Sequence, residues 1–275
     1  MSSLSGRPGR WAQAAAATLV LGGVLLGAGA SSGDARYTGN DPVEEVEFNP
    51  CTGPDRGQLK CPNLRMSKPG DLFTSTSSRG RRLLHATNSI NSVGFGPLEV
   101  RGKRIPGTLL MRVNQRIHRR GGGKLSIRTE GRLAFYPIPG QYRYWKFRDA
   151  ARFEIWTVGG QGRALRRVRT GPKLYYCLRD LFRTKPSGRS PSGRVYPGCN
   201  QDPYKRAVVL GTSVGWSDVY PSDYHQQYIN VSGLRGCYAF FMIADPKNHI
   251  RETDEEDNDS RILIRLPSGN RVKNC

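Results

Sequence analysis

The most constraining feature of the sequence is residues 215–264, where strand-like segments alternate with turns and one strongly acidic loop. QQYINV and CYAFFMIA have the β-branched and aromatic bias of strands, and the turn residues Ser232 and Gly233 lie between them. RILIRL alternates charged and aliphatic residues, as a half-buried strand does. The stretch therefore predicts three strands joined by a tight turn and an acidic loop.

The acidic loop carries six carboxylates within the eight residues 252–259. Like charges at such spacing repel one another, and a bound cation with oxygen ligands would relieve that repulsion. The alternative is a solvated run of charges in a loop. The loop is thus a candidate cation site.

The rest of the chain is also rich in short strand patterns and contains no sustained 3.6-residue period. Strands are expected at LLMRVNQRI, KLSIRT, RLAFYPI, RFEIWTV, KLYYCL and RAVVLGT. The predicted fold class is all-β, a β-sandwich with long loops and little helix.

The first thirty residues have the pattern of a secretory signal. Arg7 and Arg10 supply the positive region, residues 14–27 are apolar, and residues 28–30 form an A-x-A cleavage site. An uncleaved anchor is the alternative, but the apolar run is short for a membrane span. We expect a signal peptide over 1–30, a polar lead-in over 31–60 and one domain over 61–275, with no membrane span after cleavage.

Six cysteines fit an oxidising compartment, so we expect a secreted, extracellular or cell-wall-associated protein. Six cysteines allow fifteen pairings. Proximity along the chain suggests 51–61, 177–199 and 237–275. A zinc site is the competing interpretation, but the sequence has no C-x-x-C pair and no Cys/His cluster.

The positive charge is concentrated in the middle of the chain, because residues 101–200 carry a net +20 of the total +21. Such a field attracts polyanions, among them anionic cell-wall polymers, and acidic extracellular proteins. No nucleic-acid motif accompanies the charge, so specific base readout is not expected. A solvated basic surface is the alternative.

Five motifs in order over the 215–264 stretch resemble the C-terminal part of the lysyl oxidase family, in the form of its bacterial secreted members. They are GWSDVY, QYINV, the Gly-x-Tyr of residues 236–238, the pair Asp245-Pro246, and the acidic loop ending in Asn258. The resemblance implies the β-sandwich of the lysyl oxidase catalytic domain.

The same resemblance implies a copper- and quinone-dependent oxidase. The positions of the quinone precursors are occupied by the family's residue types in this sequence, whereas the copper-binding histidines are replaced. RTGPKLYYCLRD places Lys173 at the family's cross-linking lysine, and GWSDVY places Tyr220 at its quinone tyrosine. The family's three copper histidines correspond to Tyr142, Tyr144 and Lys146, which are not expected to bind copper. A phenol and an ammonium are poor ligands beside imidazole.

The acidic loop matches the family's calcium site more closely. The resemblance implies a structural calcium ion, with candidate ligands at Asn63, Leu64, Glu252, Asp254, Asp257 and Asn258. Two departures, Asn63 for Asp and Asp257 for Asn, roughly exchange one charge between the two partners.

These observations give two hypotheses. The first is a secreted family member that has lost copper and quinone chemistry and acts as an extracellular binding or cell-surface protein. The second is a copper- and lysine tyrosylquinone-dependent oxidase of peptidyl-lysine or other primary amines.

Overall fold

The computed structural model describes residues 42–46 and 48–275. The predicted signal segment, 1–30, lies outside the described residues. Within them, the regular structure consists of seventeen strands and two short 3-10 turns, Pro54–Gln58 and Gly160–Gly162. The strands are β1 (Leu59–Lys60), β2 (Leu64–Met66), β3 (Gly70–Thr76), β4 (Arg82–Ser92), β5 (Leu98–Arg104), β6 (Leu110–Arg119), β7 (Lys124–Pro137), β8 (Arg143–Arg148), β9 (Ala151–Val158), β10 (Ala164–Thr170), β11 (Tyr175–Tyr176), β12 (Ala207–Thr212), β13 (Ser217–Tyr220), β14 (Tyr228–Asn230), β15 (Gly236–Ala244), β16 (Asp259–Leu266) and β17 (Asn270–Val272).

The strands form three groups. The largest sheet has the order β11-β8-β7-β6-β5-β12, with β1 paired to β6. A second sheet has the order β10-β9-β15-β16-β17. In the third group the long strand β4 pairs with β13, β14, β2 and β3. All pairings between these strands are antiparallel, so the prediction of an all-β fold is confirmed. The finer assignment, to the lysyl oxidase type of sandwich, stays a prediction.

One apolar core joins the three groups. Alternating residues along each strand point to the same face, and the inward set is large and aliphatic or aromatic. Val100 and Met111 come from the first sheet, Phe153 and Phe240 from the second, and Leu84 from β4. Burial of these side chains is the main force that holds the sheets together.

A smaller apolar cluster holds the segment before residue 61. Leu59 and the Cys51–Cys61 pair pack against Ile117 and Ile127 on the outer part of the largest sheet. Residues 51–60, which we expected to belong to a polar lead-in, are therefore partly packed and add the short strand β1 to β6.

The three expected disulfides are confirmed. The structure pairs Cys51 with Cys61, Cys177 with Cys199 and Cys237 with Cys275, and leaves no cysteine of the described chain unpaired. The last bond ties the C-terminal residue to β15, which lies at the centre of the second sheet.

Gly94 allows β2 to lie close to the loop after β4. A Cβ at this position would stand 2.5 Å from the Pro62 carbonyl carbon and 2.6 Å from the Cys61 oxygen. Val93 N–H donates to the Asn63 oxygen at 2.8 Å in the same approach. Only glycine fits such backbone contact, and the contact fixes Asn63 and Leu64 against the acidic loop.

No helix in the part of the chain that the structure describes is both long and apolar enough to cross a membrane.

Candidate functional site

Strands β8 and β13 bring several of the predicted site residues to one place. On β8, Trp145 and Phe147 are fully buried in the core, so strand alternation directs Lys146 to the opposite face. On β13, Asp218 and Tyr220 are two residues apart and share a face. Lys173 precedes β11, which pairs with β8.

Lys173 and Tyr220, the two quinone-precursor positions, are in contact. The Lys173 Nζ lies 4.2 Å from the centroid of the Tyr220 ring, 4.5 Å from that of Tyr224 and 5.2 Å from that of Tyr176. It also donates a hydrogen bond to the His225 backbone oxygen at 3.2 Å. An ammonium over several aromatic faces is stabilised by their quadrupoles.

Lys146 contacts the same tyrosine rings. Its Nζ lies 5.7 Å from the Tyr220 ring centroid and 5.8 Å from the centroids of Tyr144 and Tyr224. Lys146 and Lys173 are each only 2% exposed. Two lysine amines are therefore buried against one tyrosine ring. We call this group the two-lysine cluster (Lys146, Lys173, Tyr220 and Tyr224).

Asp218 is the carboxylate that acts as a counter-charge for this cluster. It is fully buried, and its Oδ2 accepts a hydrogen bond from the Leu178 N–H at 3.0 Å. Its Oδ1 accepts no hydrogen bond and lies 3.8 Å from the Arg179 Nε. The Tyr220 hydroxyl accepts from the Cys177 N–H at 3.0 Å.

Burial sets the ionisation of the cluster. It lowers the pKa of Lys146 to about 8, with Asp218 opposing the change. Burial and the charge of Lys146 lower the pKa of Lys173 to about 7. Burial raises the pKa of Asp218 to about 6, against the pull of Arg179, and raises the pKa of Tyr220 well above its usual value. Desolvation, which disfavours the charged forms, dominates in all four groups.

A cavity of about 450 Å³ opens onto this cluster. Its lining includes Lys146, Tyr220, Tyr224, Arg179 and the bonded cysteines Cys177 and Cys199. A small polar molecule could enter, since the lining includes both aromatic faces and cations.

The residues at the three copper positions do not fit copper. Tyr142 is 69% exposed and meets Tyr144 only edge-on, at 6.5 Å between ring centroids. Lys146 presents an ammonium rather than an imidazole. Among the described residues, no group of three or more His, Cys, Asp or Glu side chains is arranged to hold a metal ion. The expectation that copper does not bind remains a prediction.

The four histidines are engaged separately. His85 stacks on Phe73 and bonds Ser75, whereas His118 bonds Glu99 at 3.2 Å. The other two contact aromatic rings, His225 that of Tyr136 and His249 that of Phe147.

The acidic loop does meet β2, as the calcium hypothesis requires. Glu252 is fully buried and accepts hydrogen bonds from the Leu64 N–H and, at 3.0 Å, from the Asn258 amide. The two exchanged positions touch, because the Asn63 amide donates to both oxygens of Asp257, at 3.2 and 3.1 Å.

Two of the predicted calcium ligands, Asp257 and Asn63, already interact with other protein groups. Asp257 forms an ion pair with Arg65. The Asn63 side-chain oxygen accepts from the Asp254 N–H at 3.2 Å, so the backbone rather than the carboxylate of Asp254 meets residue 63.

Other side-chain oxygens near the acidic loop accept no hydrogen bond. The side-chain oxygens Asp245 Oδ1, Glu255 Oε2 and Asn258 Oδ1 are buried without a hydrogen bond. Burial and the nearby charges of Asp245 and Glu255 raise the pKa of Glu252 well above its usual value. Oxygen donors of this kind suit a hard cation such as calcium, but the carboxylates of the described residues do not converge into a metal-ligand group, so the calcium site stays a prediction. A cation bound here would also meet Asp245 and Glu255, which were not among the sequence candidates.

A basic groove lies elsewhere, on the largest sheet. The strand register aligns Lys103 with Arg112 and Arg112 with Arg132 across β5, β6 and β7. With Arg104 and Arg128 these side chains line a cavity of about 680 Å³ that contains one acidic residue, Glu130. We call these five cations the basic groove.

Sequence reasoning missed three residues of the site: Asp218, beside the two-lysine cluster, and Tyr224 and Arg179, which line the cavity. A signal existed for Asp218, because it stands two residues before Tyr220 in a predicted strand. Tyr224 and Arg179 reach the cavity from loops, and no periodicity predicts where loop side chains meet.

Neither the known protein-family models nor the curated proteins contain a match to this chain.

We predict that Lys146→Met stabilises the protein at pH 6 by roughly 1–4 kcal/mol, as replacement of buried charge by an apolar side chain often does. The unfolded chain holds its lysine protons up to a pKa near 10.4, whereas the folded one releases them from about 7 to 8. Wild-type stability therefore rises with pH above 7, and the advantage of methionine shrinks by pH 9.5.

Urea unfolding at the two pH values measures the difference. Lys68→Met, at an exposed lysine, is the matched control and should show no such pH-dependent gain. An equal gain at both pH values would contradict burial as its source.

Proposed function

We propose that this chain is a secreted domain of the lysyl oxidase type that binds anionic polymers outside the cell and does not perform copper-dependent amine oxidation. The observation that carries the loss of oxidation is Lys146. It stands at a position where the family has a copper-ligating imidazole, and its ammonium is buried against tyrosine rings.

Secretion is supported by the disulfides. All six cysteines are paired in the folded domain, and such bonds persist in oxidising compartments. The signal pattern over 1–30 points the same way. An extracellular or cell-wall-associated location follows as part of the proposal.

Polymer binding is supported by the basic groove. Its cations come from adjacent strands, so their spacing follows the 4.7–4.9 Å separation of neighbouring strands. Arg112 and Arg128 are exposed, and the ion pair of Arg128 with Glu45 joins two strongly exposed side chains. A repeating phosphate chain is the simplest ligand for such an array.

Amine oxidation is the second candidate, and one observation favours it. The Lys173 Nζ lies 4.2 Å from the Tyr220 ring centroid, close enough for the two precursors of a lysine tyrosylquinone to meet. The cofactor would also need copper, whose ligands the two-lysine cluster does not supply. For this reason we rank oxidation below binding.

A structural cation at the acidic loop belongs to either function. Glu252, Asn258, Asp245 and Glu255 are the residues that would hold it. Bound calcium would neutralise the buried carboxylates and link the loop to β2 through Leu64.

We predict that protein secreted into copper-supplemented medium contains no stoichiometric copper and gives a negative redox-cycling quinone stain. Elemental analysis and staining of the purified protein measure both. Copper together with a stain that Tyr220→Phe abolishes would establish the oxidase instead.

We predict that calcium stabilises the domain, by about 2.7 kcal/mol when free calcium is a hundred times its Kd. Thermal unfolding with added calcium and after chelation measures the shift. Glu252→Gln should lose the response, whereas Glu256→Gln, at an exposed residue of the same loop, should keep it. Identical responses in the two variants would exclude this site.

We predict that the double variant Arg112→Gln/Arg128→Gln binds polyphosphate more weakly. Each removed cation is worth about 1 kcal/mol near an anionic surface, so the loss should be roughly thirtyfold. Titration at several salt concentrations, including about 0.15 M, also reports the salt dependence.

Arg163→Gln/Arg166→Gln removes the same charge from exposed residues near the edge strand β10 and should change binding far less. Equal losses would mean that total charge, not the groove, governs binding. Absence of wild-type binding at about 0.15 M salt, where surface charges are screened beyond about 8 Å, would refute the polymer-binding role.

A further inference from the structure

Lys146 is the lysine in the wall of the 450 Å³ cavity. The cavity lining includes Lys146 but not Lys173, whose Nζ donates to the His225 oxygen. An amine in the wall of a cavity can meet a small molecule that enters it.

No carboxylate of the described chain lies within ion-pair distance of Lys146. Its surroundings are the rings of Tyr144, Tyr220 and Tyr224, and Lys173 contacts the Tyr220 ring as well. Burial, together with the nearby charge of Arg179, raises the neutral, nucleophilic fraction of this lysine amine near neutral pH, and the charge of Asp218 opposes that change. The pKa of Lys146, lowered to about 8 by burial, agrees with this.

Arg179 supplies a second ligand-binding group in the same cavity. Its Nε makes no hydrogen bond, although Asp218 Oδ1 lies 3.8 Å away. Guanidinium groups bind carboxylates in a planar, often bidentate geometry. A ligand with both a carbonyl and a carboxylate would satisfy Lys146 and Arg179 together.

We propose that Lys146 captures small oxo acids, molecules that carry an aldehyde or ketone and a carboxylate, as a reversible imine in this cavity. The inference stands on the cavity and is independent of polymer binding at the basic groove.

The reaction is balanced without an oxidant or a metal. The neutral Nζ attacks the carbonyl carbon, the new C–N bond forms, and the carbonyl oxygen takes up a proton. The resulting carbinolamine then loses that oxygen as water while the C=N bond forms. The two hydrogens that leave Nζ depart with the water, and hydrolysis reverses every step.

The experiment uses glyoxylate as probe and cyanoborohydride to reduce the imine to a stable secondary amine. Intact protein is labelled near neutral pH and the modified lysines are mapped by mass spectrometry. Because each pKa unit changes the neutral fraction about tenfold, we expect Lys146 to be labelled roughly ten times or more faster than Lys68, an exposed lysine.

Two controls keep the result interpretable. Lys146→Arg should lose the fast label, and Lys68→Arg should keep it. In wild-type protein unfolded by urea, Lys146 and Lys68 should be labelled equally, which tests the cavity without any variant. Equal labelling of the two lysines in folded wild-type protein would overturn the proposal.

The carboxylate requirement has its own comparison. Arg179→Gln should slow labelling by glyoxylate but leave labelling by acetaldehyde, which has no carboxylate, nearly unchanged. If both rates fall alike, or neither falls, Arg179 does not select the ligand and the assignment to oxo acids is wrong.

Discussion

The site depends on the burial of two lysine amines around one tyrosine ring. Placing ammonium groups in a desolvated site is costly, and cation–π contact with Tyr220 and Tyr224 offsets only part of that cost. Apolar side chains of similar volume would avoid that cost. Buried groups with pKa values shifted this far make Lys146 and Lys173 candidates for a functional site.

The consequences extend to the surrounding groups. Asp218 is buried with one oxygen lacking a hydrogen bond, and Arg179 stands at 3.8 Å rather than in close contact. The charges are near one another yet incompletely paired. Such incomplete pairing is characteristic of sites that receive a ligand, because the ligand completes the set.

Much of the fold could be predicted from local signals in the sequence. Alternation located the central strands, since burial acts on every second residue of RILIRL and CYAFFMIA. Pairing each cysteine with its neighbour along the chain gave the correct bonds, although the paired residues are 10, 22 and 38 positions apart. The motif positions of Lys173 and Tyr220 are spatial neighbours in the structure.

The remaining features depend on long-range geometry. Nothing local showed that Lys146 on β8 would lie beside Tyr220 on β13, because the two strands belong to different groups. Nor did it show that Asp245 would lie near the acidic loop, where a Glu255 oxygen also accepts no hydrogen bond. The basic groove arises from register: Lys103, Arg112 and Arg132 are distant in sequence and adjacent across strands. The amino-acid composition predicted the positive charge of the middle of the chain. It could not predict that these basic side chains align across neighbouring strands.

The Cys177–Cys199 bond has a consequence for where the cavity can exist. Cys177 both lines the cavity and donates its N–H to the Tyr220 hydroxyl, and Cys199 forms the adjacent wall. One wall of the cavity is therefore covalently closed only after oxidation. A newly made chain in a reducing cytoplasm would contain the same lysines but would lack this covalent closure of the cavity wall. Exposure to an oxidising environment would then be the last step in forming the site.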